Sequence, residues 1–300
     1  IIGLPTDIAR LRQEIATLLD RVRPGAVFGA LAAGSDIVIA ELALAAGAQL
    51  HVVLPTAIEA FRAVSVEQFG GDWPERFDRL IEAAESVEVL SGPGRLSGAA
   101  IHLGAQVAMG LAIRRARVLA TSAVAYHVGR AFNEQSAAEV EWRRQGRQFH
   151  ELVLDQTPPT RGEELDPVVN RAVLAMQGPV PDYCDLTFVT RTAVHEGFSL
   201  LQFDDPVAAM DQGAAILRLA PESRLGLDYA PFAPGQDLVE IGSAAIMLAR
   251  ATTEGSICAH WPQIAVLELL APRYRFETAG EIVTVRGDFP IGLFCLDSQG

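Results

Sequence analysis

Residues 28–55 read FGALAAGSDIVIAELALAAGAQLHVVLP: an apolar run, a Gly-Ser-Asp turn, an Ala-rich stretch and a second apolar run entered through glycine. This order constrains the fold more than any other feature of the chain. An amphipathic or Ala-rich helix between two short apolar runs predicts a strand–helix–strand unit, and parallel strands joined this way need helices on both faces of their sheet. The pattern continues. Periodicity predicts a helix over 6–22, with Ile8, Leu11, Ile15 and Leu18/Leu19 on one face and Thr6 or Asp7 as its cap. Strands are expected at 25–30, 48–55, 86–91, 117–128 and 148–154, and helices at 35–46, 57–63, 73–84, 98–116 and 135–145. The fold class of this half is therefore α/β, with a mostly parallel sheet covered on both faces.

The segment DQTPPTRGEELDP at 155–167 breaks the alternation with two prolines, a glycine and a run of acids, the composition of a linker. It divides the chain into a first domain at 1–156, a linker at 157–167 and a second domain at 168–300. The second half predicts strands at 168–176, 198–203, 223–232 and 256–260, helices at 205–220, 242–255 and 262–271, and a closing hairpin over 274–297. That order, strands and helices followed by an antiparallel hairpin, suits an α+β sandwich.

Charge excludes several function classes. The net charge is −13 and the chain contains no lysine, so every one of its 24 basic residues apart from histidine is Arg. Schiff-base chemistry and a P-loop of the usual kind, both of which need Lys, are ruled out. An acidic surface without a basic stripe argues against binding to long nucleic acid. No apolar run reaches the roughly 18 residues that suggest a membrane span. Cys184, Cys258 and Cys295 are widely spaced and form no CxxC pair, which points to a reducing, cytoplasmic setting. The six histidines are scattered without metal-ligand spacing, so no metal site is expected. The sequence opens Ile-Ile-Gly without Met or a signal-peptide pattern, which leaves room for a start upstream.

Ligands of open α/β sheets sit outside the carboxyl ends of the strands, where the turn at Gly34-Ser35-Asp36 falls. Gly29 and Gly34 allow close backbone approach, Ser35 offers a hydroxyl, and the first N–H groups of the following helix point outward and suit a small anion. The alternative is structural: Ser35 or Asp36 caps the helix and the glycines serve packing. There is no GxGxxG.

The stretch GALAAGSDIVIAELALAAGAQLHVVLP resembles the SLOG superfamily, the Rossmann-like group that includes DNA-processing recombination mediators and lonely-guy phosphoribohydrolases. The resemblance rests on Gly34-Ser35-Asp36, Glu41, HVVLP at 51–55, Phe61, Ser65-Val66, Trp73, Arg76, Phe77 and AMGLAIRRARVL at 108–119, and spans about residues 25–154. The family's usual first strand, with its Gly-His turn, is not visible. The resemblance implies a nucleotide or nucleotide-derived ligand held by Gly29, Gly34, Ser35 and Asp36. The PGGxGTxxE pattern that serves N-glycosidic cleavage is absent. A hydrolase reading would need Asp36 and Glu41 as its carboxylates, with Glu41 otherwise a solvated helix residue.

The second half resembles class III nucleotide cyclase domains, of the α+β ferredoxin-like type. FSLLQFDDPVAAMDQGAAIL, SRLGLDYAPF, IGSAAIMLARATTEGSICAH and the closing FETAGE…VRG carry the likeness over about 168–296. Cyclisation needs two carboxylates for two metal ions. Met176 or Gln177 stands where the first belongs, and Glu196-Gly197-Phe198 where the second does. Asp182, Asp185 and Glu196 are the acids available as substitutes. Of the transition-state Asn and Arg, only Arg250 matches; Ile246 replaces the Asn. Asp204 and Asp205 read as a strand end and a helix cap before Pro206, and Asp237 and Glu240 as acids near the expected base position. The segment before FSLLQF is too short for the family's two helices. Together these features lead to a non-catalytic, nucleotide-sensing regulatory protein with a pseudo-cyclase domain. That domain would form a homodimer, or a heterodimer with a cyclase-like domain. The alternatives are a nucleotide N-glycosidic hydrolase in the first domain and residual metal-dependent cyclase activity, with Arg250, in the second.

Overall fold

The computed structural model describes residues 7–90, 96–129, 137–153, 168–182, 184–284 and 287–296, and the chain divides into two compact units, 1–165 and 166–300. Thr6 and the linker 157–167 lie outside the described residues.

The first unit opens with α1 (Ile8–Val22), whose N-cap Asp7 accepts the Arg10 N–H at 2.8 Å and whose apolar stripe Leu11, Ile15 and Leu19 is buried. β1 (Ala26–Gly29), β2 (Gln49–Leu54) and β3 (Ser86–Val89) form a parallel sheet in the order β1-β2-β3. The crossovers are α2 (Ser35–Ala45), then α3 (Ile58–Ser65) and α4 (Trp73–Ala83) with a short 3₁₀ turn between them. α5 (Gly98–Val118), capped by Ser97, then lies across β1 and β2. It is followed by β4 (Val124–Gly129), α6 (Ala137–Arg144) and β5 (Gln148–Val153). The five strands are hydrogen-bonded as one three-stranded and one two-stranded parallel sheet, without a described ladder between β1 and β4. One apolar core nonetheless joins them, running from Leu11 and Ile37 through Val52 and Phe77 to Val128 and Leu152. The strand expected from 117 begins only at Val124, because α5 continues to Val118 and the chain then turns through Ala120 at φ 51°.

The second unit is a seven-stranded sheet in the order β11-β12-β10-β9-β6-β8-β7. Its strands are β6 (Val169–Gln177), β7 (Val189–His195), β8 (Phe198–Phe203), β9 (Arg224–Phe232), β10 (Ser256–His260), β11 (Glu277–Thr284) and β12 (Gly287–Cys295). The four strands β9-β6-β8-β7 are mutually antiparallel neighbours, the split order of a βαββαβ unit. The first crossover of such a unit is here the segment 178–188, among whose described residues none is helical. β7 is a strand that the sequence pattern did not disclose. Its residues are mostly exposed, so they carry no apolar alternation.

α7 (Pro206–Leu219) and α10 (Trp261–Leu270) cover one face of this sheet, and α8 (Leu238–Ile241) and α9 (Ser243–Ala251) the other. Asp205 caps α7, accepting from the N–H groups of Val207 at 2.7 Å and Ala208 at 3.2 Å, with Pro206 at the first helical position. The close approach of α9 to the sheet depends on Gly226. A Cβ there would lie 2.1 Å from the Ala245 carbonyl oxygen and 2.4 Å from the Ala249 nitrogen. Among the described residues no helix is long and apolar enough to cross a membrane.

Candidate functional site

In the first unit, the turn after β1 is built by Gly34, at φ 102° and ψ −121°, a conformation open to glycine and costly for other residues. Gly34 is itself the N-cap of α2, and no side chain caps that helix, so neither Ser35 nor Asp36 is a conventional cap. Ser35 is instead the buried first residue of α2, and the Asp36 carboxylate turns back to accept the Ala32 N–H at 3.2 Å, closing the loop that leaves β1. Burial pushes the Asp36 carboxyl up from 3.8 to about 6, against the opposing pull of the Ala32 N–H and of His127 on β4. Gly29 ends β1 with open space where a Cβ would stand, so packing does not require glycine there.

Glu41 is placed elsewhere. Arg76 on α4 grips it with two hydrogen bonds, 2.7 and 2.8 Å, and Arg12 on α1 adds a third at 3.0 Å. Burial would raise the Glu41 carboxyl, but the two guanidinium groups more than offset it and hold it below its ordinary value. Arg76 is buried and stacks over the Trp73 ring at 4.1 Å. Glu41 is thus neither solvated nor beside Asp36; it ties α1, α2 and α4 together. His127 on β4, which contributes to the electrostatics of Asp36, has its Nδ1 2.7 Å from Glu139 Oε1 on α6. Two isolated residues in a polar region carry no spacing signal, and only the tertiary fold pairs them.

In the second unit, the β7–β8 hairpin turns through Glu196 at φ 47° and Gly197 at φ 81°, a two-residue loop with both central residues left-handed. Glu196 pairs with Arg250 of α9, Nη2 to Oε2 at 2.5 Å, and Arg250 also lies over the Phe198 ring at 5.3 Å. The Arg250 hydrogen bond and charge, with His195 adding to them, hold the Glu196 carboxyl below its ordinary value. His195, Glu196 and Arg250 line a groove of about 220 Å³ together with Val239, Ser243, Ile246 and Met247. The sequence had singled out Glu196 and Arg250 separately, and the fold brings them together. Met176 is buried in the core and is not among the residues that line the groove. Asp185 is held by the Thr187 N–H at 2.9 Å and by its hydroxyl, and Asp237 caps α8 by accepting the Val239 N–H at 2.7 Å. No group of three or more His, Cys, Asp or Glu side chains that could hold a metal ion occurs among the described residues.

No family model and no curated protein matches the sequence. Solved structures similar to the chain include an adenylate/guanylate cyclase/hydrolase from Silicibacter pomeroyi, at 14% identity and a TM-score of 0.35, covering 44% of this chain and 99% of that one. Another is the catalytic core of a rhodopsin-guanylyl cyclase with converted specificity in complex with ATPalphaS, at 9% identity and a TM-score of 0.31, over 43% of this chain and 98% of that one. The adenylyl cyclase CyaB from P. aeruginosa matches at 15% identity and a TM-score of 0.29, over 44% and 97%. These neighbours are cyclase domains and fall on the second part of the chain. At such identities and scores, nothing about chemistry follows from them.

Proposed function

We propose that this chain is a non-catalytic regulatory protein. Its first unit would be a Rossmann-like, SLOG-type domain that senses a nucleotide-class ligand at the Gly34–Asp36 turn. Its second would be a pseudo-cyclase domain retained for dimerisation or for pairing with another cyclase-like domain. The observation that carries the reading is the Glu196–Arg250 ion pair. On the cyclase resemblance, Glu196 belongs to the turn that would present a metal carboxylate, and Arg250 would match the transition-state arginine. Here each neutralises the other within one chain. Both side chains are more than half exposed, so the pair is weakly held. What it supports is that the Arg250 charge beside the carboxylate opposes a divalent cation there. The buried Met176 leaves no carboxylate at the other metal position.

Two features support the ligand turn. Gly34 adopts a glycine-specific conformation at the carboxyl end of β1, and the start of α2 has no side-chain cap to occupy its N–H groups. The stepwise order β1-β2-β3 and the return of α5 across β2 and β1 are what a Rossmann-like half requires.

The test is a thermal-shift screen of the full chain against mononucleotides, cyclic nucleotides, NAD and ADP-ribose. At about 100 times its Kd, a ligand adds about 2.7 kcal/mol, which moves a domain of this size by several degrees. The reading expects a shift that Asp36→Ala abolishes, and no cyclic nucleotide from ATP or GTP with Mn²⁺. A shift unaffected by Asp36→Ala would overturn the ligand site. Cyclase turnover that Arg250→Ala removes would overturn the pseudo-enzyme reading.

A further inference from the structure

A groove of about 560 Å³ lies in the second unit, between α7, the loop after α10 and the end of β12. Its volume falls within the range of small-molecule sites, roughly 300–1,000 Å³. Asp211 and Arg218 stand two turns apart on α7 and both border it. Asp211 is committed to the wall: its Oδ1 accepts from Arg273 Nη2 at 2.7 Å and from the Tyr274 hydroxyl. Arg273 also lies over the Tyr274 ring at 4.8 Å, and that ring meets Phe294 edge-on at 5.3 Å. Arg218 is different. It is exposed and lines the groove, and among the described residues no carboxylate pairs with it.

Two guanidinium groups against one carboxylate leave the groove a single net positive charge, on a chain whose net charge is −13. The Cys295 thiol adds no negative charge. Burial, and then the charge of Glu277, hold it above its ordinary value, and Glu277 itself does not line the groove. Phe294 and Leu296 supply apolar wall. One net charge matches a monoanion. A carboxylate can take two parallel N–H bonds from the Arg218 fork, whereas the second charge of a phosphate monoester would face Asp211. An apolar body joined to that carboxylate would lie against Phe294 and Leu296.

We propose that this groove binds a small organic monocarboxylate, its carboxylate held by Arg218 and its apolar body by Phe294 and Leu296. Asp211, Arg273 and Tyr274 form the fixed wall beside it. The groove shares no residue with the Gly34–Asp36 turn or with the groove at Glu196 and Arg250. Neither nucleotide binding at the turn nor cyclase activity therefore bears on it.

The experiment is a ligand-observed NMR titration of the full chain with phenylacetate, acetate, phenylacetamide and phenyl phosphate, at neutral pH and low salt. Wild type and Arg218→Gln are compared, with the Tm of each unliganded protein as a folding control. Phenylacetate is expected to bind wild type. Its neutral counterpart phenylacetamide should bind at least about 10-fold more weakly, the loss that goes with a hydrogen bond to a charged group. Arg218→Gln should weaken phenylacetate by a similar factor at an unchanged Tm. Acetate, which lacks the ring, should also bind about 10-fold more weakly, and phenyl phosphate no more tightly than phenylacetate. Failure of phenylacetate to bind wild type overturns the proposal, as does an affinity that Arg218→Gln leaves unchanged. Equal binding of phenylacetamide overturns the role of charge, and does so with wild type alone should the variant not fold. Equal binding of acetate overturns the apolar contact, and tighter binding of phenyl phosphate overturns the choice of a monoanion.

Discussion

Replacing Asp36 with Asn should make the unliganded first unit more stable at neutral and alkaline pH. The Asp36 carboxyl is raised from 3.8 to about 6, with burial as the leading cause. An acid whose folded-state value lies above its unfolded value favours folding while it is protonated. That contribution is complete below about pH 4 and is lost as pH rises through 6. A shift of about two units corresponds to about 3 kcal/mol. At pH 8 the ionised, desolvated carboxylate costs the fold about that much relative to a neutral isostere. Asn keeps an oxygen that can accept the Ala32 N–H and carries no charge to desolvate. Urea unfolding of wild type and Asp36→Asn, both carrying Trp261→Phe so that Trp73 and Trp142 report the first unit, measures the difference at several pH values. The expected gain for the variant is small at pH 4, intermediate near pH 5, nearly complete at pH 6 and up to about 3 kcal/mol at pH 8. A gain independent of pH, or a loss at pH 8, would refute the assignment of the shift to desolvation. A variant more stable yet unable to bind a nucleotide would also explain why such a costly residue stands at this turn.

Three further substitutions probe the framework. Glu41→Ala leaves Arg76, whose side chain is 9% exposed, with only the exposed Asp72 carboxylate at 3.6 Å, and should cost about 2 kcal/mol in urea unfolding, less than breaking a fully buried pair would. Gly226→Ala drives a methyl group into the Ala245 carbonyl and the Ala249 nitrogen. It is expected to destabilise the second unit by about 3 kcal/mol or more, and wild-type Tm in that variant would contradict the close α9 packing. Glu196→Asn exchanges an exposed ion pair, worth little, for a residue better suited to a left-handed turn position. Its Tm should equal or exceed that of wild type, and a marked fall would give Glu196 a larger structural part than its turn provides.

The elements with strong apolar periodicity could be read directly from the chain. The β1–α2–β2 unit was visible because an Ala-rich helix between two apolar runs has few other interpretations, and α7 because Asp205-Pro206 marks its start. β7 was hidden because an exposed edge strand has no apolar face to announce it. The site was only half visible. Gly34 and Asp36 stand in a recognisable turn, but Asp36 bends back to the loop instead of capping the helix, a choice governed by burial that local sequence does not encode. Glu41 was misread as solvated because its partners Arg12 and Arg76 lie 29 and 35 residues away. His127 and Glu139 depend on tertiary return of the chain, as does the meeting of Glu196 with Arg250 across 54 residues.

The direct connection from β6 to β7 has a consequence for how this sheet could change over time. Residues 178–188 join two parallel strands separated by β8, and a helical crossover ordinarily needs a dozen or more residues. The strand order survives without one. Doubling a loop of this kind adds only about 0.6 kcal/mol of closure entropy, so helices could be gained or lost here with little effect on the sheet. The segment is thus a natural point for inserting or grafting a foreign element, and the sheet would accept it as cargo while keeping its own register.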